Sequence, residues 1–106
     1  MIKIFTILLQ TKDYEFIEEL PSVDGDEKYL MQEDEETFRL LSDFSSTEYL
    51  LTTSDDMPDL IKELDLLLDQ IEDAQALEHV KEIKELAKKC HDLKGSFLII
   101  TPFEVD

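Results

Sequence analysis

The chain has 106 residues, of which 42% are hydrophobic and 35% are charged, and it carries 27 acidic and 10 basic residues for a formal net charge of −17. The length fits a single domain, residues 1–106, and the apolar fraction is too high for a disordered chain of this acidity. The charge argues against direct binding to nucleic acid or to an anionic membrane, because both require Lys and Arg to displace counterions.

The first part of the chain is an apolar run followed by a polar, acidic stretch. Residues 2–11 have apolar side chains at both odd and even positions, which predicts a strand buried on both faces at the centre of a sheet. We interpret residues 12–27 as a loop or a single helical turn that ends at Pro21. The apolar run is too short to span a membrane, and no signal-peptide cleavage site follows it. We therefore expect a soluble, cytoplasmic protein.

Three short apolar runs come next, at residues 28–32, 37–42 and 47–53. Runs of this length that contain β-branched or aromatic residues and are separated by turn residues predict an antiparallel meander. The first gap holds the acidic run Glu-Asp-Glu-Glu at residues 33–36. We expect this run at the tip of a hairpin, where water solvates its charge.

Two amphipathic helices follow the predicted meander. Apolar residues recur at helical spacing over residues 57–71, and a second stripe covers residues 74–93. The connection between them is short, so we expect a helical hairpin over residues 56–93 that packs on one face of the sheet. Glu63 falls on the predicted polar side of the first helix. The side chains expected against the sheet are Leu60, Ile61, Leu64, Leu68, Val80, Ile83 and Ala87.

A last apolar run completes the predicted fold. Residues 96–101 predict a buried strand, and Gly95 before them is a suitable C-terminal cap for the second helix. The predicted fold class is therefore α+β, with a mainly antiparallel sheet of about five strands and an α-helical hairpin packed on one face.

No catalytic or metal-binding motif is found in the sequence. Cys90, His91 and Asp92 are adjacent, but neighbours on a helix point about 100° apart, and Cys90 lies on the apolar stripe. His79 is three turns away, too far to share a metal ion with them. We therefore expect no enzyme activity, no catalytic residue, no cofactor and no metal site.

The acidic residues are unevenly distributed, which favours a dedicated acidic surface. Residues 54–73 hold eight acidic residues and one Lys, whereas residues 78–94 hold four acidic residues and five Lys. Acidic side chains attract basic proteins and steer their approach, and aromatic residues nearby are typical of protein interfaces. We expect a basic protein partner, with neither nucleic acid nor membrane bound. The predicted partner-binding residues are Glu33, Asp34, Glu35, Glu36, Asp55, Asp56 and Asp59.

In size, charge and layout the chain resembles the immunity proteins of bacterial toxin–immunity pairs, including those of contact-dependent inhibition systems. The resemblance includes no sequence motif. It implies a toxin inhibitor that binds a basic toxin domain, often a nuclease, and covers its active site. Two alternatives remain: a phage or plasmid nucleic-acid mimic that inhibits a DNA-binding protein, and a housekeeping adaptor subunit whose acidity is incidental.

Overall fold

The structure is a computed structural model that describes residues 5–11, 13, 15–20, 27–30, 32, 34, 36–42 and 49–101. Its elements in chain order are β1 (Thr6–Gln10), β2 (Phe16–Leu20), α1 (Glu27–Leu30), β3 (Leu50–Thr53), a 3-10 turn (Ser54–Asp56), α2 (Met57–Gln70), α3 (Ala74–Asp92) and β4 (Phe97–Thr101). The fold is α+β, as the sequence predicts.

The four strands form one antiparallel sheet in the order β2-β1-β4-β3. Strand β1 lies between β2 and β4, and its residues Ile7, Leu8 and Leu9 are all buried. A strand with neighbours on both sides and covered faces has apolar residues at consecutive positions. The predicted central strand is therefore confirmed, and β4 is the second central strand of the sheet.

Helices α2 and α3 pack against each other and on one face of this sheet. The shared core includes Ile7 and Leu9 of β1 and Leu98 and Ile100 of β4. The predicted stripes supply the helical half of the core. Of the seven predicted side chains, Ile61 and Leu68 are half-buried at the edge of the core, and the others are buried: Leu60, Leu64, Val80, Ile83 and Ala87.

The predicted meander is wrong in two of its three strands. Residues 28–30 belong to the short helix α1, and residues 37–42 form turns. The segment 37–42 still buries Phe38 and Leu41, but from a turn and not from a strand. Its backbone bonds are local, as when Phe38 donates its N–H to the carbonyl oxygen of Asp34 at 2.8 Å. Short apolar runs reach the core from a turn as readily as from a strand, so the run length alone does not separate the two.

The segment predicted as a loop at residues 12–27 contains a strand instead. Strand β2 pairs with β1 at the sheet edge, with an irregular register between Leu9 and Gln10. An edge strand needs only one partner strand and leaves much of its surface in water, so it tolerates polar residues. The polar sequence of β2 therefore gave no strand signal. Residues 2–4, 31 and 47–48 of the other predicted strands lie outside the described residues.

The ends of the two long helices are fixed by local hydrogen bonds. The 3-10 turn that leads into α2 begins with a capping box in which Asp56 accepts the backbone N–H of Thr53 at 3.0 Å. Before α3, Asp73 accepts the N–H of Ala76 at 2.9 Å. After α3, the C-cap residue is Leu93, and Gly95, the predicted cap, lies two residues further on with a φ of 86°, which favours glycine. No helix within the described ranges is long and apolar enough to cross a membrane.

Candidate functional site

The Asp34 carboxylate closes a turn with Glu36 and Thr37, which we call the acidic turn. Asp34 accepts the Thr37 hydroxyl at 2.7 Å, and it also accepts the backbone N–H groups of Glu36 at 3.2 Å and Thr37 at 3.3 Å. These bonds, the Thr37 hydroxyl first, lower the pKa of the Asp34 carboxyl. Asp34 is therefore a turn-forming residue. Glu33 and Glu35 lie outside the described residues.

The same segment is attached to helix α2 by a buried carboxylate. Glu63 is only 5% exposed, and its carboxylate accepts the N–H of Leu40 with both oxygens at 3.1 Å and the N–H of Leu41 at 3.0 Å. These bonds satisfy two backbone donors that would otherwise be buried without an acceptor. Glu63 thus holds the turn segment against the helix.

Glu63 was predicted on the polar face of α2, and that prediction is wrong. The residue is three positions after Leu60 and four before Leu67, so it lies on the apolar stripe by the helical period. An acidic residue inside an apolar stripe is a detectable signal of a partnered buried carboxylate. The partner, however, is the backbone of a distant segment, which no helical pattern can identify.

A surface groove of about 450 Å³ runs between this turn and α2. Glu36 and Asp59 both line it, so the fold brings one residue of the acidic run and one of the α2 acids to the same side. Arg39 lines the groove as well and forms an ion pair with Asp59 at 2.8 Å. Lys62 is a further cation in the lining. The described groove therefore carries both signs of charge.

The other two predicted acids of this group differ in role. Asp56 is half-buried and bonds to the backbone N–H and hydroxyl of Thr53, so its carboxylate closes the capping box of the 3-10 turn. Asp55 is exposed, and no ion pair among the described residues involves it. Of the five described candidates, Glu36 and Asp55 are the ones whose carboxylates have no described partner and are open to an incoming cation.

Two lysines of α3 pair with acidic residues of neighbouring elements. Lys84 forms an ion pair with Asp65 of α2, and Lys89 forms one with Glu18 of β2 at 2.7 Å. These lysines therefore bridge α3 to its two acidic neighbours. Exposed pairs of this kind contribute little to stability, about 0–1 kcal/mol each. The two pairs do place Lys84 and Lys89 where α3 faces the acidic residues of α2 and β2.

Two of the exposed aromatic residues lie on the sheet edges. Phe16 in β2 is 62% exposed and Tyr49, just before β3, is 56% exposed. Tyr29 is half-buried, and its hydroxyl lies 2.7 Å from Nδ1 of His79. Exposed aromatic side chains are favourable interface anchors. Phe16 and Tyr49 place one such side chain at each edge of the sheet.

His79 and Cys90 are both buried. His79 is buried, and burial lowers its pKa. It lines a small cavity of about 210 Å³ together with Gln75, Glu78 and Glu82. Cys90 is fully buried, receives a hydrogen bond from the Ser96 hydroxyl at 3.3 Å, and has a pKa raised by burial.

These groups do not assemble into a described metal site. In the part of the chain that the structure describes, no group of three or more His, Cys, Asp or Glu side chains is arranged to hold a metal ion. A buried thiol with a raised pKa is a poor nucleophile, because the thiolate is the reactive form.

The chain matches no protein-family model, no curated protein and no solved structure. The features of the chain that bear on function are its charge, the turn held by Glu63 and the exposed edges of the sheet.

Proposed function

We propose that this protein is an acidic inhibitor that neutralises a basic protein partner, and that it serves as the immunity protein of a toxin whose active site it covers. The toxin domain, a nuclease in many pairs of this kind, holds phosphates at a cationic surface. A carboxylate-rich surface on the inhibitor replaces those phosphates. The proposal assigns binding, and no chemistry, to this chain.

The charge of the whole molecule supports this proposal. A net charge of −17 exceeds the roughly 2–8 units that keep a small domain soluble. Four ion pairs between Lys or Arg and a carboxylate are present within the described ranges, and they leave most described carboxylates without a cation. The remaining field accelerates encounter with a basic partner, and salt screens this field beyond a distance of about 8 Å at physiological ionic strength.

The observation that carries the proposal is the attachment of the acidic turn. Asp34 closes the turn, and Glu63 holds its far end through Leu40 and Leu41 at 3.0–3.1 Å. Glu36 is thereby presented from a fixed backbone beside Asp59. A segment that is ordered before binding loses less conformational entropy in the complex, which strengthens binding. A solubility coat has no need for such attachment.

A growth assay tests the proposal directly. The protein encoded immediately upstream of this chain's gene is expressed in a bacterial host, where we expect it to arrest growth. Co-expression of this chain should restore growth, and the two purified proteins should form a complex. If the upstream product is harmless, or if its toxicity persists with this chain present, the immunity function is wrong.

Association kinetics then test the acidic turn. The test variant changes three glutamates to glutamine and keeps Asp34, so that the turn remains closed: Glu33→Gln, Glu35→Gln and Glu36→Gln. The control variant removes the same number of charges at exposed positions elsewhere: Asp69→Asn, Glu72→Gln and Glu82→Gln. We expect the test variant to associate about 3–10-fold more slowly than the control at low salt, with a smaller difference at high salt. Equal rates for the two variants would assign steering to overall charge.

A further inference from the structure

The two edges of the sheet differ in how they are protected. Strand β2 has an irregular register beside Gln10 and carries the carboxylates of Glu18 and Glu19. Charged residues and irregular pairing are the devices by which edge strands avoid adding another strand. Strand β3 at the other edge has the sequence Leu-Leu-Thr-Thr, preceded by Tyr49, and contains no charged residue. In a chain with 35% charged residues, this edge is an exception.

Among the described residues, β3 pairs with β4 on one side only. Ser54 donates its N–H to the carbonyl oxygen of Ser96 at 3.2 Å, and bonded pairs alternate along an antiparallel ladder. Position 52 therefore bonds inward to β4, whereas positions 51 and 53 face outward. The outward N–H of Thr53 is used by Asp56. The N–H and carbonyl of Leu51 have no partner among the described residues.

The side chains at this edge add an apolar surface. Leu51 is 42% exposed and Tyr49 is 56% exposed. Leu51 lies directly opposite Ile99, which in turn lies opposite Leu8, so the three form a row across the sheet. This row is on the face opposite to the helices, because the core side chains that contact the helices come from the alternate positions.

We propose that the outer edge of β3 accepts an extended strand of the basic partner, with backbone bonds to Leu51 and apolar contacts to Tyr49 and Leu51. Strand addition of this kind takes its affinity from backbone hydrogen bonds and its specificity from alternate side chains. Asp55 lies two residues after the end of β3 and is exposed, so the incoming strand has an open carboxylate at one end of its path. A cationic strand is complementary to that charge.

A second copy of this chain is a poor occupant of the edge. Each copy carries a charge of −17, so pairing two β3 edges brings two strongly anionic molecules together. The inference rests on the proposed function for the basic character of the partner. It adds the location and the backbone mode of binding.

Synthetic peptides test this inference without the natural partner. The probe is a capped peptide of about eight residues in which Lys and Val alternate, a pattern suited to strand addition. Its control has the same sequence with N-methyl groups on the alternate backbone nitrogens that point toward β3. The methyl groups keep the charge of the peptide and remove the N–H donors that would bond to β3. We expect the probe to bind about tenfold more tightly than the control. The amide of Leu51 should become protected from hydrogen exchange on binding.

Two matched variants locate the binding edge. Leu51→Lys places a cation at the proposed edge, and Phe16→Lys makes the same change at an exposed apolar residue of the opposite edge. We expect Leu51→Lys to weaken probe binding about fivefold and Phe16→Lys to leave it within about twofold. Circular dichroism checks that each variant is folded, and Leu51→Ala, which adds no positive charge, should bind more tightly than Leu51→Lys.

Several results would overturn the inference. Equal binding of the N-methylated control means that charge alone holds the peptide, and equal loss in both Lys variants removes the preference for β3. A dimer in sedimentation that Leu51→Lys dissociates identifies a second copy as the occupant. If the toxin binds and Leu51→Lys leaves its affinity unchanged, the edge is not used and the proposed function stands. If no toxin is neutralised but the probe binds at β3, the proposed function fails alone.

Discussion

The buried Glu63 carboxylate should be a principal determinant of stability around the acidic turn. In Glu63→Ala, the N–H groups of Leu40 and Leu41 lose the acceptor that lies 3.0–3.1 Å away. Each buried donor left unpaired costs about 1–3 kcal/mol, so with two donors we expect the free energy of unfolding to fall by about 2–6 kcal/mol. Glu63→Gln keeps one acceptor oxygen and should cost less than Glu63→Ala.

Urea unfolding followed by circular dichroism at the helical signal measures this loss. Amide hydrogen exchange at Leu40 and Leu41 reports whether the turn opens before the rest of the protein. Glu82→Ala, at an exposed position on α3, is the matched control and should change stability by less than about 0.5 kcal/mol. If Glu63→Ala matches this control and both amides stay protected, then the carboxylate does not hold the segment and the argument for a preorganised acidic turn is lost.

Two further predictions concern the core. Leu64→Ala should lower the free energy of unfolding by about 2–5 kcal/mol, because Leu64 is fully buried between helices and sheet, and a loss below about 0.5 kcal/mol in urea unfolding would contradict that packing. Burial lowers the pKa of His79 below its ordinary value of 6.5, so below that pH the unfolded chain binds a proton that the folded protein excludes. The wild-type melting temperature should therefore fall as the pH drops from about 7 toward the lowered pKa, and more steeply than in His79→Gln. Equal slopes in the two proteins would show that His79 does not titrate differently on folding.

Much of the fold follows from local patterns. The continuous apolar runs of β1 and β4 indicate buried strands, and the helical period of Leu60, Leu64 and Ile83 indicates the faces that pack on the sheet. These patterns are strong because each side chain in a regular element has a direction set by its position. The excess of negative charge is likewise a property of composition, since no arrangement of 27 acidic and 10 basic residues makes the molecule basic.

The conformation of the short and polar segments was decided by the tertiary structure. Residues 37–42 reach the core from a turn, and β2 becomes a strand because β1 offers it an edge to pair with. A segment of five or six residues has too few positions to establish a period, so its partners determine its conformation.

The candidate site depends even more on tertiary contacts. Sequence composition identified the acids, but Arg39 pairs with Asp59 across twenty positions of the chain, and Glu63 bonds to the backbone of Leu40 across twenty-three. The roles of individual carboxylates as caps, anchors or free charges depend on which donors lie within about 3 Å of them. The sequence alone determined that this protein carries a large negative charge on an α+β framework. Only the folded chain decided which carboxylates are neutralised internally and which sheet edge is left uncharged, because both depend on distances between residues that are remote in sequence.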